Sequence, residues 1–322
     1  MPKHKLLQIG DITSRMANKL ADNFDIIEYF RSDDKNKLIA EHVKEIECIL
    51  TDGHWGVPDN LMESLPNLKI VSSYGVGYDA IDANFAVSKN ITVTHTPNVL
   101  NDEVADTAIM LWLATYRDLI QADQWVRTGN WEKEGAFPLS KSVQKQKVGI
   151  LGLGRIGETI AKRVKAFDAE VHYHSRSKKN NNYQFHASPK ELAKNVDVLF
   201  IITPGGNETK HLVDASVLKA LGTSGTLINI SRGSVVDEKA LIKALQTGTI
   251  CAAGLDVFDA EPFVPNELKN MPNVILTPHV GSATNETRQA MGDLTCDNLL
   301  SFFQTGQVLT PVPECLKLNI QR

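Results

Sequence analysis

The segment KVGILGLGRIGETIAKRVKAF constrains the fold more than any other part of the sequence. Gly152, Gly154 and Gly157 in this segment fit the pattern G-x-G-x-x-G. An apolar strand-like run precedes the glycines and apolar side chains at helical spacing follow them, so the pattern predicts a strand, a tight turn and a helix. In such a unit the glycines allow the tight turn, the approach of a pyrophosphate to the backbone, and close packing of helix on strand.

The N-terminus of the predicted helix favours an anion, because its N–H groups are unpaired and the helix dipole is positive there. We therefore predict a dinucleotide-binding loop, although a glycine-rich turn in an α/β domain that binds no nucleotide would have the same local pattern. The residues predicted to contact the cofactor in this loop are Gly152, Leu153, Gly154, Arg155, Ile156 and Gly157.

The end of the next predicted strand indicates which dinucleotide is preferred. Sites for NAD place an acidic residue about 20 positions after the glycines. Here Ser175 stands 23 residues after Gly152 and is followed by Arg176 and Ser177. A carboxylate would repel the 2′-phosphate of NADP, whereas a hydroxyl and the planar fork of arginine suit it. These residues predict a site that prefers NADP(H) over NAD(H); the alternative is a solvated turn.

Strand-like and helix-like segments alternate along the whole chain, which predicts parallel sheets built from βαβ units. With 322 residues, the chain is long enough for two domains. A helix is predicted over residues 98–120, and a closing helix over 285–305 with Gly306 beyond its end. The strand-like runs form two series, at 5–10, 24–30, 47–53, 68–75 and 91–97, and at 148–152, 170–175, 196–203, 226–232, 251–257 and 274–280.

Composition excludes several classes of protein. The net charge of −4 gives no general attraction to nucleic acid or membranes. No apolar run reaches the roughly 18 residues that a membrane span needs. The four cysteines are scattered without a C-x-x-C pair, which indicates neither a disulfide framework nor a thiolate metal site. A cytoplasmic protein is the simplest expectation.

Three later segments carry polar residues after predicted strands, where open α/β sheets bind ligands. They are NISRGSVVDEKAL with Arg232, GLDVFDAEP with Asp256 and Glu261, and ILTPHVGSAT with His279. Reduction of a 2-oxo acid needs a proton donor, which histidine can be near neutral pH, and a cation for the carboxylate, which arginine suits. A carboxylate beside the histidine would stabilise the imidazolium. Taken singly, Arg232 also fits a surface cation, Glu261 a turn residue and His279 a strand-end histidine.

The chain resembles the D-isomer-specific 2-hydroxyacid dehydrogenases over nearly its full length. Seven ordered segments carry the resemblance: SSYGVGYDAID, NDEVADTAIML, VGILGLGRIG, TPGGNETKHLV, NISRGSVVDEKAL, AAGLDVFDAEP and TPHVGSAT. The resemblance implies two doubly wound α/β domains with a cleft between them. A flavodoxin-like substrate domain would comprise residues 1–100 and 286–322, and a Rossmann-like cofactor domain residues 101–285.

The same resemblance implies roles for individual residues. Arg232 would anchor the substrate carboxylate and carbonyl, His279 would be the acid/base, and Glu261 its partner. Backbone N–H groups of Val76 and Gly77 would bind the substrate carboxylate. A homodimer built on the cofactor domain is expected. Further cofactor contacts are expected at Thr203, Pro204, Thr209, Ile230, Asp256 and Gly281.

Within the family, HYHSRSKK and TPGGNETK most resemble glyoxylate/hydroxypyruvate reductases and hydroxyphenylpyruvate reductases that use NADPH. A bulky Trp55 near the substrate would favour small 2-oxo acids over arylpyruvates. Phe137 lies in a segment that can reach a neighbouring subunit's site in relatives. Both aromatic residues could equally be packing residues.

Two other readings remain open. Corepressors of the same superfamily bind a dinucleotide as a signal and act on protein partners, but no added recruitment segment is evident here. His172 and His174 share one face of a predicted strand without a third ligand nearby, so we expect no metal site there and expect both side chains to be solvated.

Overall fold

The structure is a computed structural model, and it describes residues 3–321. The chain divides into two compact units. Unit 1 comprises the described residues of Met1–Leu100 and Thr284–Arg322, and unit 2 comprises Asn101–Ala283. Each unit has its own parallel sheet, so the expected α/β class is confirmed.

The strands have the following bounds: β1 His4–Gln8, β2 Phe24–Glu28, β3 Ile46–Asp52, β4 Ile70–Tyr74, β5 Thr92–Thr94, β6 Lys147–Leu151, β7 Glu170–His174, β8 Gln184–Phe185, β9 Val198–Ile201, β10 Thr226–Asn229, β11 Ala252–Leu255 and β12 Val274–Leu276. The helices are α1 Ser14–Leu20, α2 Lys35–His42, α3 Asp59–Ser64, α4 Ala83–Ser88, α5 Asn101–Tyr116, α6 Leu119–Arg127, α7 Asn130–Glu134, α8 Arg155–Val164, α9 Pro189–Lys194, α10 Ala215–Leu221, α11 Glu238–Gln246, α12 Asn266–Lys269, α13 Asn285–Thr305 and α14 Leu316–Gln321.

Unit 1 has a five-stranded sheet in the order β2-β1-β3-β4-β5, which is the flavodoxin-like order. All its paired strands are parallel. Helix α13 packs against β4 and α1 and so completes this unit from the far end of the chain. Gly306 follows α13 in the left-handed region with φ 79°, and its N–H bonds to Phe302 O at 2.8 Å, so the predicted end of this helix is confirmed.

Unit 2 has a seven-stranded parallel sheet in the order β12-β11-β10-β9-β6-β7-β8. The strand order reverses between β6 and β9, and ligands of such sheets bind at the carboxyl ends of the strands near that point. The two-residue strand β8 was not predicted, because so short a segment shows no periodicity of its own.

The predicted helix over residues 98–120 is wrong in its extent, because the helix is interrupted between α5 and α6. Asp118 adopts φ 48° and ψ 44°, a left-handed conformation that aspartate tolerates. Helix α5 is largely buried in unit 2, with Trp112 fully enclosed, whereas Leu119 and Ile120 beyond the break are each 53% exposed. The apolar pattern of the sequence therefore continues past the interruption of the helix, although the residues beyond it lie outside the core.

No helix in the described part of the chain is long and apolar enough to cross a membrane.

Candidate active site

The glycine loop joins β6 to α8 and shows a separate steric reason for each glycine. Gly152 has φ +106°, and a Cβ there would lie 2.8 Å from Ile202 O. A Cβ on Gly157 would collide with Gly152 O, so this glycine allows the helix to approach the turn. A Cβ on Gly154 would meet no atom within 4 Å, which leaves open space beside the turn.

Helix α8 begins at Arg155 directly after this turn. The first N–H groups of an α-helix have no partner within the helix, and they point toward an anion placed before it. The backbone N–H groups of Leu153, Arg155 and Ile156 lie in this part of the chain. A pyrophosphate fits the donors and the open space at Gly154.

The segment Ser175–Lys179, which we call the phosphate loop, follows β7 at the same edge of the sheet. Ser175 is half-buried and its hydroxyl donates to Ser177 O at 2.7 Å. Arg176 is exposed and makes no hydrogen bond or ion pair within the described residues. Its guanidinium is therefore available to a phosphate that enters from solvent.

The loops after β10, β11 and β12 lie side by side, because these strands are neighbours in the sheet. Arg232 follows β10, is half-buried, and donates from Nη1 to Ser231 O at 2.9 Å. A Cβ on the next residue, Gly233, would collide with the backbone of Phe258 in the loop after β11. This close contact brings the Arg232 loop against the loop that carries Glu261.

The hydrogen bond between His279 and Glu261 is the central contact of the site. His279 Nδ1 lies 2.8 Å from Glu261 Oε2. Burial alone would raise the pKa of Glu261, but hydrogen bonds from His279 and Phe258 N–H, with the charges of His279 and Arg232, hold it below its usual value. Glu261 is thus an ionised carboxylate that can only accept, so Nδ1 carries the proton. The His279 side chain is 47% exposed, which leaves the ring accessible from solvent.

Asp256 holds the backbone around His279. Its Oδ1 accepts from Thr277 Oγ1 at 2.6 Å and from Val280 N at 2.8 Å, and its Oδ2 accepts from Gly281 N at 2.9 Å. His279 itself has φ 53°, and its N–H bonds to Asp256 O at 2.9 Å. Burial raises the pKa of Asp256, and these hydrogen bonds oppose the rise. Asp256 and Gly281 were predicted as cofactor contacts; the structure pairs them with each other at the base of the His279 loop.

Asn229, the last residue of β10, holds the backbone around Arg232 in the same way, and it was not among the predicted site residues. Its Oδ1 accepts from Ser231 N at 3.1 Å and Ser231 Oγ at 2.9 Å, and its Nδ2 donates to Arg232 O at 3.1 Å. The only sequence signal was a polar residue at the end of an otherwise apolar strand. Its neighbour Ile230, a predicted cofactor contact, is buried.

The other predicted cofactor contacts of unit 2 follow β9. Thr203 Oγ1 is buried without a hydrogen-bond partner in the described part of the protein. Thr209 Oγ1 lies 2.7 Å from Pro204 O and ties this loop together. An unpaired buried hydroxyl beside the glycine loop fits a bound dinucleotide.

The predicted substrate contacts belong to unit 1. Val76 and Gly77 are half-buried in the loop after β4, where His95 Nδ1 donates to Val76 O at 2.9 Å. Trp55 follows β3 and is 58% exposed. Asp52 Oδ1 accepts from Trp55 N at 2.8 Å and so fixes the backbone of this loop. The Trp55 ring lies 5.4 Å from the ring of its neighbour His54.

Phe137 packs against its own chain, with its ring 5.7 Å from that of Trp125. The expectation that His172 is solvated is wrong: its side chain is buried by the fold of β7 against the segment after β8, and its Nδ1 lies 2.9 Å from His186 Nε2. Within residues 3–321, no three His, Cys, Asp or Glu side chains are grouped to hold a metal ion.

Comparisons with known proteins find relatives over most of the chain. The family model described as "D-isomer specific 2-hydroxyacid dehydrogenase, NAD binding domain" matches residues 109–281. A glyoxylate/hydroxypyruvate reductase A of Arabidopsis thaliana is 44% identical, and the alignment covers 95% of this chain and 98% of the relative. A hydroxyphenylpyruvate reductase of Plectranthus scutellarioides is 42% identical over the same shares of the two chains.

A solved structure extends the likeness to three dimensions. The NADPH-dependent glyoxylate/hydroxypyruvate reductase of Sinorhizobium meliloti, in complex with NADP and malonate, has a TM-score of 0.92 and 46% identity, covering 97% of this chain and 98% of the other. A sequence match over nearly the whole chain and a shared fold of both units lead to one conclusion. This chain belongs to the D-isomer-specific 2-hydroxyacid dehydrogenase family.

Proposed function

We propose that this chain is an NADPH-preferring reductase that transfers a hydride to C2 of glyoxylate or hydroxypyruvate and forms the D-2-hydroxy acid. The observation that carries the proposal is the His279–Glu261 hydrogen bond of 2.8 Å, with the charge of Arg232 acting on the same carboxylate. An ionised carboxylate, a proton donor and a cation are the groups that reduction of a 2-oxo acid requires.

His279 is the proposed acid. Its Nδ1–H is held by Glu261, which leaves Nε2 to carry the proton that is donated to the carbonyl oxygen of the substrate. The negative charge of Glu261 stabilises the imidazolium before that transfer. In the reverse direction the neutral ring takes the proton back from the hydroxyl group.

Arg232 is the proposed anchor of the substrate. Its guanidinium matches the planar carboxylate of a 2-oxo acid and draws electron density from the adjacent carbonyl. Val76 and Gly77 are proposed to donate backbone N–H groups to the same carboxylate, and Trp55 to limit the size of the substrate side chain.

NADPH, when bound, supplies the hydride. The glycine loop, residues 152–157, is proposed to hold the pyrophosphate, and Ser175, Arg176 and Ser177 the 2′-phosphate. The solved relative of Sinorhizobium meliloti contains NADP, which supports this preference. The other residues proposed to contact the cofactor are Thr203, Pro204, Thr209, Ile230, Asp256 and Gly281.

A homodimer built on unit 2 is part of the proposal. Exposed apolar side chains cluster in sequence on α6, on α7 and just after it, and large exposed apolar surfaces mark interfaces between proteins. Light scattering after gel filtration should give twice the chain mass of 35.5 kDa. A monomer would contradict this part. The exposed apolar residues of this surface are Leu119, Ile120, Val126, Trp131 and Leu139.

A cytoplasmic location stays a prediction.

A second candidate substrate is an arylpyruvate, favoured by the 42% identity to a hydroxyphenylpyruvate reductase. The test is one panel of glyoxylate, hydroxypyruvate and hydroxyphenylpyruvate, each assayed with NADPH and with NADH, with chiral analysis of the products. We expect the highest kcat/KM for a small 2-oxo acid with NADPH. A faster arylpyruvate would favour the second candidate, and no turnover with any acid would favour a dinucleotide-sensing protein.

A further inference from the structure

We propose that the buried hydroxyl of Tyr173 is a positioning group that sets the preference for NADPH by holding the phosphate loop in its binding conformation. This inference rests on the proposed role of Ser175, Arg176 and Ser177 in contacting the 2′-phosphate. Tyr173 itself does not reach the loop's exposed surface, so it acts through the backbone of the loop.

Tyr173 has little freedom to move. It lies in β7, paired with Ile150 in β6 and with Phe185 in β8, and it is 0% exposed. Its ring centroid is 5.5 Å from that of Phe185. A side chain enclosed by neighbouring strands keeps one rotamer, so its hydroxyl is a fixed point from which the following loop can be held.

Within residues 3–321, the hydrogen bonds of that hydroxyl are both with Lys179, at the far end of the phosphate loop. Tyr173 Oη accepts from Lys179 N at 2.8 Å and lies 3.4 Å from Lys179 O, to which it can donate. The chain leaves β7 after His174, and at Lys179 it is hydrogen-bonded back to a side chain of the same strand. These two contacts close the loop that contains Arg176.

The near end of the loop is fixed independently. His174 O accepts from Gly152 N at 2.9 Å, which ties the start of the loop to the glycine loop. His174 Nδ1 donates to His186 O, also at 2.9 Å. Between the two ends, the described contact is the Ser175 hydroxyl on Ser177 O. Lys179 O also accepts from Asn181 N at 3.1 Å, but that bond lies within the following turn. The contact that ties the Lys179 end back to β7 is therefore the one with Tyr173, whereas the His174 end is held without it.

The consequence concerns entropy. Arg176, Ser177 and Lys178 are exposed, and an exposed loop must be ordered before several of its donors can bind one phosphate. Closing the loop in advance reduces that cost for NADPH. NADH has no 2′-phosphate, so its binding gains less from an ordered phosphate loop. A group that acts only through this loop should therefore affect the binding of NADPH more than that of NADH.

The experiment compares three variants of the full-length protein. Tyr173→Phe keeps the buried ring and removes the hydroxyl. Tyr183→Phe is the matched control, because the Tyr183 hydroxyl makes no hydrogen bond within the described residues. Arg176→Ala tests the proposed phosphate contact itself. For each, KM and kcat are measured with NADPH and with NADH, and 2′,5′-ADP and 5′-AMP are titrated by calorimetry.

Tyr173→Phe should raise the KM for NADPH and weaken 2′,5′-ADP by about 2- to 12-fold, the range for one ordinary hydrogen bond. NADH kinetics, 5′-AMP affinity and all values for Tyr183→Phe should stay within about two-fold, below the effect of such a bond. If Arg176→Ala lowers the NADPH preference and Tyr173→Phe does not, the role of Tyr173 is wrong and the proposed phosphate site stands. Equal weakening of both cofactors by Tyr173→Phe would show a merely structural hydroxyl. If Arg176→Ala itself has no effect, the proposed phosphate site fails, and this inference fails with it.

Discussion

The phosphate loop and the His279 loop lie at the carboxyl edge of one sheet, yet they are held very differently. Around His279, the Asp256 side chain accepts three hydrogen bonds and its backbone carbonyl accepts a fourth. The phosphate loop is exposed and is tied mainly at its two ends, through His174 and Tyr173. Proton transfer needs one geometry to within a fraction of an ångström, so its residues are held rigidly.

Recognition of a phosphate tolerates more variation, because charge-assisted contacts from flexible side chains act over a wider range of geometries. The comparison therefore predicts two separable sets of variants. Changes in the His279 and Arg232 loops should alter turnover with either cofactor, and changes in the phosphate loop should alter the choice between cofactors.

The largest effect is expected for His279→Ala. Loss of a general acid should lower kcat by about 10²- to 10⁴-fold. The affinity for NADPH should barely change, because the ring is assigned to the substrate and not to the cofactor. Steady-state kinetics and NADPH fluorescence titration measure the two quantities. Turnover within a few-fold of the original would remove His279 from the role of acid.

Arg232→Lys should have the next largest effect. The charge remains but the two-pronged contact is lost, so kcat/KM for the 2-oxo acid should fall by about 10- to 150-fold, the range for a hydrogen bond to a charged group. Arg31→Lys is a matched control on the surface of unit 1, since the Arg31 side chain is 65% exposed. If Arg232→Lys behaves like Arg31→Lys, Arg232 lies outside the site.

The phosphate loop should give effects of similar size but confined to one cofactor. Arg176→Ala should weaken NADPH by about 10- to 150-fold and leave the KM for NADH nearly unchanged. Ser175→Asp should go further, weakening NADPH and improving NADH, because a carboxylate repels the phosphate and accepts from ribose hydroxyls.

The ratio of kcat/KM for NADPH to that for NADH decides this prediction, since a general loss of stability cannot move the two cofactors in opposite directions. Lys178→Ala is the control for a simple loss of positive charge, and its effect on the ratio should be smaller. A wild-type ratio below one, or a ratio that none of the variants changes, would leave the phosphate loop as a solvated turn.

Features formed by residues close together in the sequence could be predicted from it. Features that depend on the order of strands in the sheet could not. The glycine loop was recognisable because a strand, three glycines and a helix follow one another directly. The pairing of Glu261 with His279 joins residues 18 apart on loops of different strands, and only the order of β10, β11 and β12 brings Arg232 to them. Family resemblance, rather than any spacing, pointed to that trio.

The misses have physical causes of the same kind. The break at Asp118 is invisible in the apolar pattern, because Leu119 and Ile120 continue it on an exposed surface. Asn229 and Tyr173 lie in apolar strands, where the sequence does not distinguish a single polar side chain with a specific contact from an ordinary core residue. Their importance lies in which backbone groups they reach, and that depends on how the following loop turns.

The smallest and most specific effect is expected for Glu261→Gln, and it tests the rigid side of the comparison. The pKa of Glu261 is lowered, so in the folded protein it stays ionised as the pH falls through the usual range of glutamate, near 4.3. Its carboxylate therefore faces His279 across the whole neutral range. Replacement by glutamine keeps a side-chain oxygen for Nδ1 but removes the negative charge that favours the imidazolium.

The change in rate at a fixed pH should have opposite signs in the two directions of the reaction. Reduction needs the imidazolium, so without the carboxylate its rate should begin to fall at a lower pH. Oxidation of the D-2-hydroxy acid needs the neutral ring, so its rate should also rise at a lower pH. At a fixed pH between the two limbs, Glu261→Gln should thus slow reduction while it spares or speeds oxidation. Full pH–rate profiles in both directions measure this. A loss of equal size in both directions, with neither limb displaced, would mean that Glu261 only holds the ring in place and that its charge has no part in the proton transfer.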